Sequence, residues 1–161
     1  QARRVGAWTL VGLNSQLLGT GFDAEREQEE WLVGEALPAA RGTRVAVFMH
    51  ESLHLRPEYA DDAPANGWMS IPRAASERLA ETLREAGVEL VATGHTHRHT
   101  EWTEGGIRQL TAPSLAGPIP MRPDMTQALG DRRTGWLEYD LDEQGARIAV
   151  RHVDDAERDN P

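Results

Sequence analysis

The sequence predicts an α/β fold in which parallel strands come first and antiparallel hairpins follow. Two observations carry this. Two short apolar runs, Val45-Ala46-Val47-Phe48-Met49 and Val88-Glu89-Leu90-Val91-Ala92-Thr93, flank a segment of helical period, the arrangement of strand, crossover helix and parallel strand. Beyond residue 100, strand-forming stretches are joined by Glu104-Gly105-Gly106 and Asp142-Glu143-Gln144-Gly145, which are turn signals of antiparallel hairpins.

Residues 5–13 are apolar and rich in strand formers, and Asn14-Ser15 closes them into a loop; they are expected to form the first strand. After Gly19-Thr20-Gly21, Asp23 is placed to cap a helix whose first turn holds Glu25 and Glu27, where negative charge meets the positive end of the helix dipole. Gln28, Trp31, Leu32 and Ala36 share one face, and Pro38 should stop the helix. The run 45–49 has the unbroken apolar character of a strand covered on both faces, and His50 stands where it ends. Pro57, Asp61, Asp62, Pro64, Asn66 and Gly67 mark a loop. A helix is then expected over 73–86, with Ala75, Leu79, Leu83 and Ala86 at helical spacing and Gly87 as its stop. The strand at 88–93 ends in Gly94-His95-Thr96-His97. Hairpin arms follow at 100–103 with 107–111, and at 135–141 with 146–153. Between them, 112–134 carries Pro113, Pro118, Pro120 and Pro123 and is expected to be a long surface loop, a frequent address for substrate contacts. Residues 1–153 should form one domain and 154–161 a frayed tail.

A chain of 161 residues with 39% hydrophobic residues can bury one core. Seventeen basic against 26 acidic residues leave a net charge of −9, which argues against an electrostatic grip on nucleic acid or an anionic membrane. There is no cysteine, so disulfides and thiolate metal sites are excluded and any metal must use histidine, carboxylate or amide ligands. No apolar run is long enough to span a bilayer and no signal-peptide pattern opens the chain. The chain is expected to be soluble, its compartment open with the cytoplasm preferred. Gln1 in place of Met, running at once into a strand, suggests a truncated or processed chain, or a tag cleaved from its start.

If the strands at 45–49 and 88–93 run parallel, their carboxyl ends share the edge where open α/β sheets hold ligands. One ends in His50, the other in His95 and His97. Neutral imidazole suits zinc, iron and manganese centres. Residues two apart in extended backbone point the same way, and Gly94 lets the backbone turn closely, so both rings of the pair are expected to reach a centre shared with His50. Alone, His50 would read as a polar strand terminator; with the pair it reads as a metal ligand. His54 and His99 lack the strand-end placement and read as exposed loop histidines, with phosphate contact or support of the ligands as their lesser alternative. His152 reads as a surface residue of the last hairpin.

Gly94-His95-Thr96-His97 after a strand resembles the closing metal motif of the calcineurin-like metallophosphoesterases. Leu13-Asn14-Ser15 resembles that family's strand ending in leucine, aspartate and serine, Gln28, Trp31 and Leu32 resemble the helix after it, and Val47-Phe48-Met49-His50 resembles the strand that delivers an earlier metal histidine. The resemblance runs to about Pro113-Ser114 and more loosely to the last hairpin. It implies the later half of an α-β-β-α sandwich that hydrolyses phosphate monoesters or diesters with a metal-activated hydroxide. Two ions per complete site, divalent or trivalent and of the manganese, iron or zinc kind, are implied, with His50 and His95 on one and His97 on the other. Two cations about 3.5–4 Å apart acidify water, orient the ester and neutralise its oxygens.

The departures bear equally on function. The family's aspartate-x-histidine, glycine-aspartate-x-x-aspartate and asparagine-histidine motifs, which supply the bridging carboxylate and general acid, do not occur. Gly130-Asp131-Arg132-Arg133-Thr134 has Thr134 where the second aspartate belongs and lies after the histidines, so it reads as a turn. Glu51 stands where a second histidine often follows His50, and Asn14 replaces an aspartate. The expectation is therefore a partial metal site, with no catalytic acid in this chain and the remaining ligands on an upstream segment of the same domain or on a partner chain. The alternative is a non-catalytic half-domain that binds or assembles, as a homo-oligomer or with another protein, through a sheet edge left open at 5–13 or 45–49. A single-zinc hydrolase using the three histidines and one water is chemically permitted but not singled out.

Overall fold

The computed structural model describes residues 1–53, 70–119 and 130–153. Among these residues six strands form one sheet in the order β1-β2-β3-β4-β6-β5: β1 Ala2–Val5, β2 Trp8–Gly12, β3 Arg44–Phe48, β4 Leu90–Thr93, β5 Thr100–Glu104 and β6 Ile107–Thr111. The pairs β2·β3, β3·β4 and β4·β6 are parallel, while β1·β2 and β5·β6 are antiparallel hairpins. Strands β7 Gly135–Leu141 and β8 Ala146–His152 pair separately as a two-stranded sheet. The predicted α/β class, parallel strands followed by antiparallel hairpins, is what the chain adopts.

The alternation of side chains along each strand explains the layering. Val45 and Val47 face one way, where they pack with Leu32, Ala36, Leu79 and Leu83 of the helices. Ala46 and Phe48 face the other way, against Leu137, Tyr139, Leu141 and Ile148 of the β7–β8 hairpin. The described residues thus stack a helical layer, the six-stranded sheet and the hairpin. The hairpin is tied down by Trp8, 1% exposed, whose Nε1–H donates to the Asp142 carbonyl at 2.8 Å. Arg44 lies over the Trp8 ring and donates to the Glu143 and Gln144 carbonyls. Phe48 and Tyr139 meet edge to face at 5.5 Å, and burial pushes the Tyr139 phenol up to about 12.

Several expectations need correction. The first strand does not run unbroken over 5–13: Gly6, at φ 58, turns the chain so that exposed β1 pairs back on β2. Residues 8–12 and 44–48 do not form an open edge, since β2 and β3 both lie inside the sheet; among the described residues its edges are β1, which takes in Val5, and β5. Helix α1, Asp23–Trp31, has Phe22 as N-cap with no side-chain cap, and Asp23 is its first residue. Pro38 does not stop the helix but sits within α2, Leu37–Ala39. A π-turn over Leu32–Ala36 precedes it and widens the backbone where the proline ring would otherwise meet a carbonyl four residues back. Helix α3, Arg73–Glu85, matches its expected span, and Gly87 follows at φ 70. Among the described residues no helix is long and apolar enough to cross a membrane. The expected loop at 57–67 and the frayed tail at 154–161 lie outside the described residues.

Candidate metal centre

The carboxyl ends of β2, β3, β4 and β6 open onto one rim, and hydrogen bonds extend the sheet past each strand end. Leu13 N–H donates to Phe48 O, Met49 N–H to Ala92 O, Gly94 N–H to His50 O and Ala112 N–H to Thr93 O, at 2.8–3.1 Å. The histidine loops are therefore ordered by continued pairing. Behind them, Ser15 is fully buried and its Oγ accepts the Glu51 N–H at 2.8 Å. Asn14 is clamped by Gln28, whose amide oxygen accepts the Asn14 N–H and whose amide nitrogen donates to the Asn14 carbonyl. Asn14 and Gln28 thus fasten the loop after β2 to α1, and Glu51 enters the same brace through its backbone.

His50 and His95 meet on this rim. His50 Nε2 and His95 Nδ1 are 3.1 Å apart, and the rings are edge to face with centroids at 4.9 Å. Two imidazole nitrogens this close share a single proton. With metal–nitrogen bonds of about 2.0–2.1 Å, two ligands of one cation sit about 3.0 Å apart at a right angle and about 3.4 Å apart at the tetrahedral angle. The observed spacing falls between these values, so the pair fits two positions on one cation in place of the proton.

His97 is placed differently. Its Nδ1 donates to the Gly117 carbonyl at 2.7 Å; a carbonyl can only accept, so in the neutral ring Nε2 carries the lone pair. A backbone carbonyl on the far ring nitrogen is a usual support for a metal-binding histidine. Among the described residues no three or more His, Cys, Asp or Glu side chains gather as a metal group. Of the three predicted ligands, then, the structure joins His50 to His95 and sets the tautomer of His97.

The backbone between them is not the extended segment the sequence suggested. His95 and His97 have φ of 61° and 52°, the left-handed region that side chains other than glycine rarely enter. Thr96 N–H closes back on Gly94 O at 2.7 Å, a three-residue turn centred on His95 in the strained hand. Residues held this way cost about 1–3 kcal/mol each and cluster at functional sites. No sequence signal marks this, because histidine has only a mild preference for such backbone.

Two histidines depart from expectation. His99 is not an exposed loop residue: it is half-buried, its Nδ1 donates to Thr111 O, and its backbone bonds Asp131 in both directions. His152 is not on the surface: it is 5% exposed, opposite Gly135 in the β7–β8 register, with Nε2 3.4 Å from Asp131. The Arg133 guanidinium, with lesser help from His152, holds the Asp131 carboxyl down at about 2. His54 lies outside the described residues. In the expected loop over 112–134, residues 112–119 range from buried Pro113 to exposed Leu115 and contribute the Gly117 carbonyl, whereas 120–129 lie outside the described residues.

Sequence reasoning missed Arg98, one residue beyond the histidine motif. It is 1% exposed, and among the described residues neither Nη1 nor Nη2 finds a hydrogen-bond partner. Burial, and after it the charge of Arg132, lowers its pKa.

No protein-family model matches the chain, and no curated protein matches it in sequence. Among solved structures it is similar to GAP50, described as the anchor in the inner membrane complex of Plasmodium, with TM-score 0.62 and 15% identity over 93% of this chain and 48% of that one. It also aligns with a dimetal phosphatase from Danio rerio, at TM-score 0.48 and 17% identity over 77% and 37% of the two chains. A Staphylococcus aureus protein assigned as a 5′-nucleotidase, solved with alpha-ketoglutarate, aligns at TM-score 0.46 and 16% identity over 94% and 28%. These last two likenesses are too slight to carry an argument. The chain spans about half the length of GAP50 or less of the others. What it shares with GAP50, at this identity, is the fold: a mixed α/β architecture with parallel and antiparallel strands in one sheet.

Proposed function

We propose that this chain contributes part of the metal site of a phosphoester hydrolase acting on phosphate monoesters or diesters. In this reading His50 and His95 share one cation and His97 serves a second. The observation that carries it is the 3.1 Å approach of His50 Nε2 to His95 Nδ1 at the carboxyl edge of two parallel strands. Strained backbone at His95 and His97 supports it, because such conformations persist where ring direction matters. The Gly117 carbonyl holds the His97 proton on Nδ1 and keeps Nε2 free to coordinate. Ser15, Asn14 and Gln28 hold the loops steady behind the rings. Metal ions of the manganese, iron or zinc kind supply acidified water and charge neutralisation for phosphate oxygens. In the same proposal, the remaining ligands and the general acid come from an upstream segment of the domain or from a partner chain, and the substrate is a phosphate ester.

A second reading is a non-catalytic binding or assembly module, alone, as a homo-oligomer or with a partner. It is favoured by the likeness of fold to a protein described as an anchor, and by there being no three-ligand group among the described residues.

The test is metal retained after dialysis, together with release of p-nitrophenol from p-nitrophenyl phosphate, for the chain with and without an upstream segment. The hydrolase reading expects metal retention that falls in His50→Ala and His95→Ala, and turnover only when the upstream segment is present. Robust turnover by this chain alone, insensitive to chelator, would contradict it; metal-free protein with no turnover in either form would favour the assembly reading.

A further inference from the structure

We propose that Arg98 and Arg132 form a binding site for a phosphate-type dianion beside the histidine rim, built from residues outside the metal set. Arg98 is 1% exposed, yet among the described residues Nη1 and Nη2 have no hydrogen-bond partner. A guanidinium is effectively always charged, and a buried charge is tolerated only when it is paired. No carboxylate among the described residues pairs with it. Asp131, adjacent to Arg132 in the chain, is already engaged by Arg133 and His152, and Glu101 of β5 is engaged by Arg108.

The second cation sharpens the inference. Arg98 and Arg132 are the next opposed positions beside the antiparallel His99–Asp131 bridge, so the fold brings two like charges together where repulsion would otherwise part them. Their segments are held in place by the double backbone bond between His99 and Asp131, each the immediate neighbour of one arginine. Arg132 is exposed and forms the outer end of the site; Arg98 forms its buried end. Two guanidinium groups from separate segments suit a group with two negative charges and several acceptor oxygens, so a phosphate group fits better than a carboxylate. Free phosphate and the phosphate of an ester offer the same chemistry.

The proposal stands apart from the metal reading and is tested without metal. Binding of inorganic phosphate, phenyl phosphate and acetate is measured by calorimetry on this chain in the presence of EDTA. The expected result is binding of one or both phosphates, with acetate much weaker. A site that accepts phenyl phosphate points to the ester as its occupant, and one that accepts only inorganic phosphate points to the free ion. Arg98→Gln should weaken binding roughly tenfold or more, the loss expected when a charge-assisted pair is removed. Arg132→Gln, an exposed change that leaves the core intact, should weaken it several-fold and decides the matter if the Arg98→Gln protein does not fold. Acetate binding as tightly as phosphate, no anion binding at all, or phosphate affinity unchanged in Arg132→Gln would overturn the proposal. Failure of metal to bind His50 and His95 would leave this result untouched.

Discussion

Replacing Glu25 by alanine should destabilise the fold by about 2–3 kcal/mol, because this carboxylate closes the loop between β2 and α1. Glu25 is 6% exposed; Oε1 accepts the Gly19 N–H at 2.5 Å and Oε2 the Gly21 N–H at 2.7 Å. A hydrogen bond to a charged group contributes roughly 1.5–3 kcal/mol when its loss leaves a dry, unmet donor. Both glycines are exposed, so water can take over their amides, and each bond should contribute about 1–1.5 kcal/mol. Arg78, 3.8 Å away and 59% exposed, adds little. Glu25→Gln should lose more than half as much, since its NH2 group turns a donor toward an amide donor. Burial alone would raise the Glu25 carboxyl, but the Gly19 and Gly21 amides and Arg78 together set it below its ordinary value. A depressed carboxyl contributes fully above its unfolded value of about 4.3 and loses that contribution as pH falls through the folded value. Urea unfolding at pH 7 and at steps down to pH 3 should therefore show a gap between wild type and Glu25→Ala that narrows in acid. A gap under about 0.5 kcal/mol at pH 7, within the range of ordinary surface substitutions, or a gap that does not narrow, would refute the reasoning.

Two further expectations concern the segment beside the rim. Gly130→Ala should cost about 3 kcal/mol or more in urea unfolding, because its φ is 85° and a Cβ there would collide with the His99 carbonyl oxygen; a neutral effect would mean the His99–Asp131 bridge is absent in solution. The Asp131 carboxyl, held at about 2 chiefly by Arg133, should titrate there by carbon-13 NMR. Its contribution to stability should be complete above about 3.9 and disappear as pH falls through about 2, and Arg133→Ala should raise it only part of the way to the ordinary range, because the backbone N–H at 133 still donates to it.

Strand identity was legible wherever both faces of a strand are covered, because burial demands the continuous apolar runs at Val45 and Val91 that a reader can see. Where one face meets solvent the text is thinner. Val5, Gly6 and Ala7 look like strand, but only a backbone angle at Gly6 reveals the turn. Pro38 carries a general rule that the π-turn before it circumvents. The rim histidines were legible through their position at strand ends, whereas their separate partners were not: Gly117 lies 20 residues from His97 and reaches it through a loop. His152 escaped notice because its burial depends on Gly135 across the hairpin, a pairing with no local signature.

The most direct measurement is nitrogen-15 NMR of the imidazole rings during zinc titration. The account predicts that His50 Nε2 and His95 Nδ1 shift together as one cation replaces their shared proton, that His97 responds at Nε2 while Nδ1 keeps its proton, and that His99 and His152 stay unchanged. Zinc leaving the His50 and His95 resonances in place, or moving those of His99 and His152 instead, would contradict it.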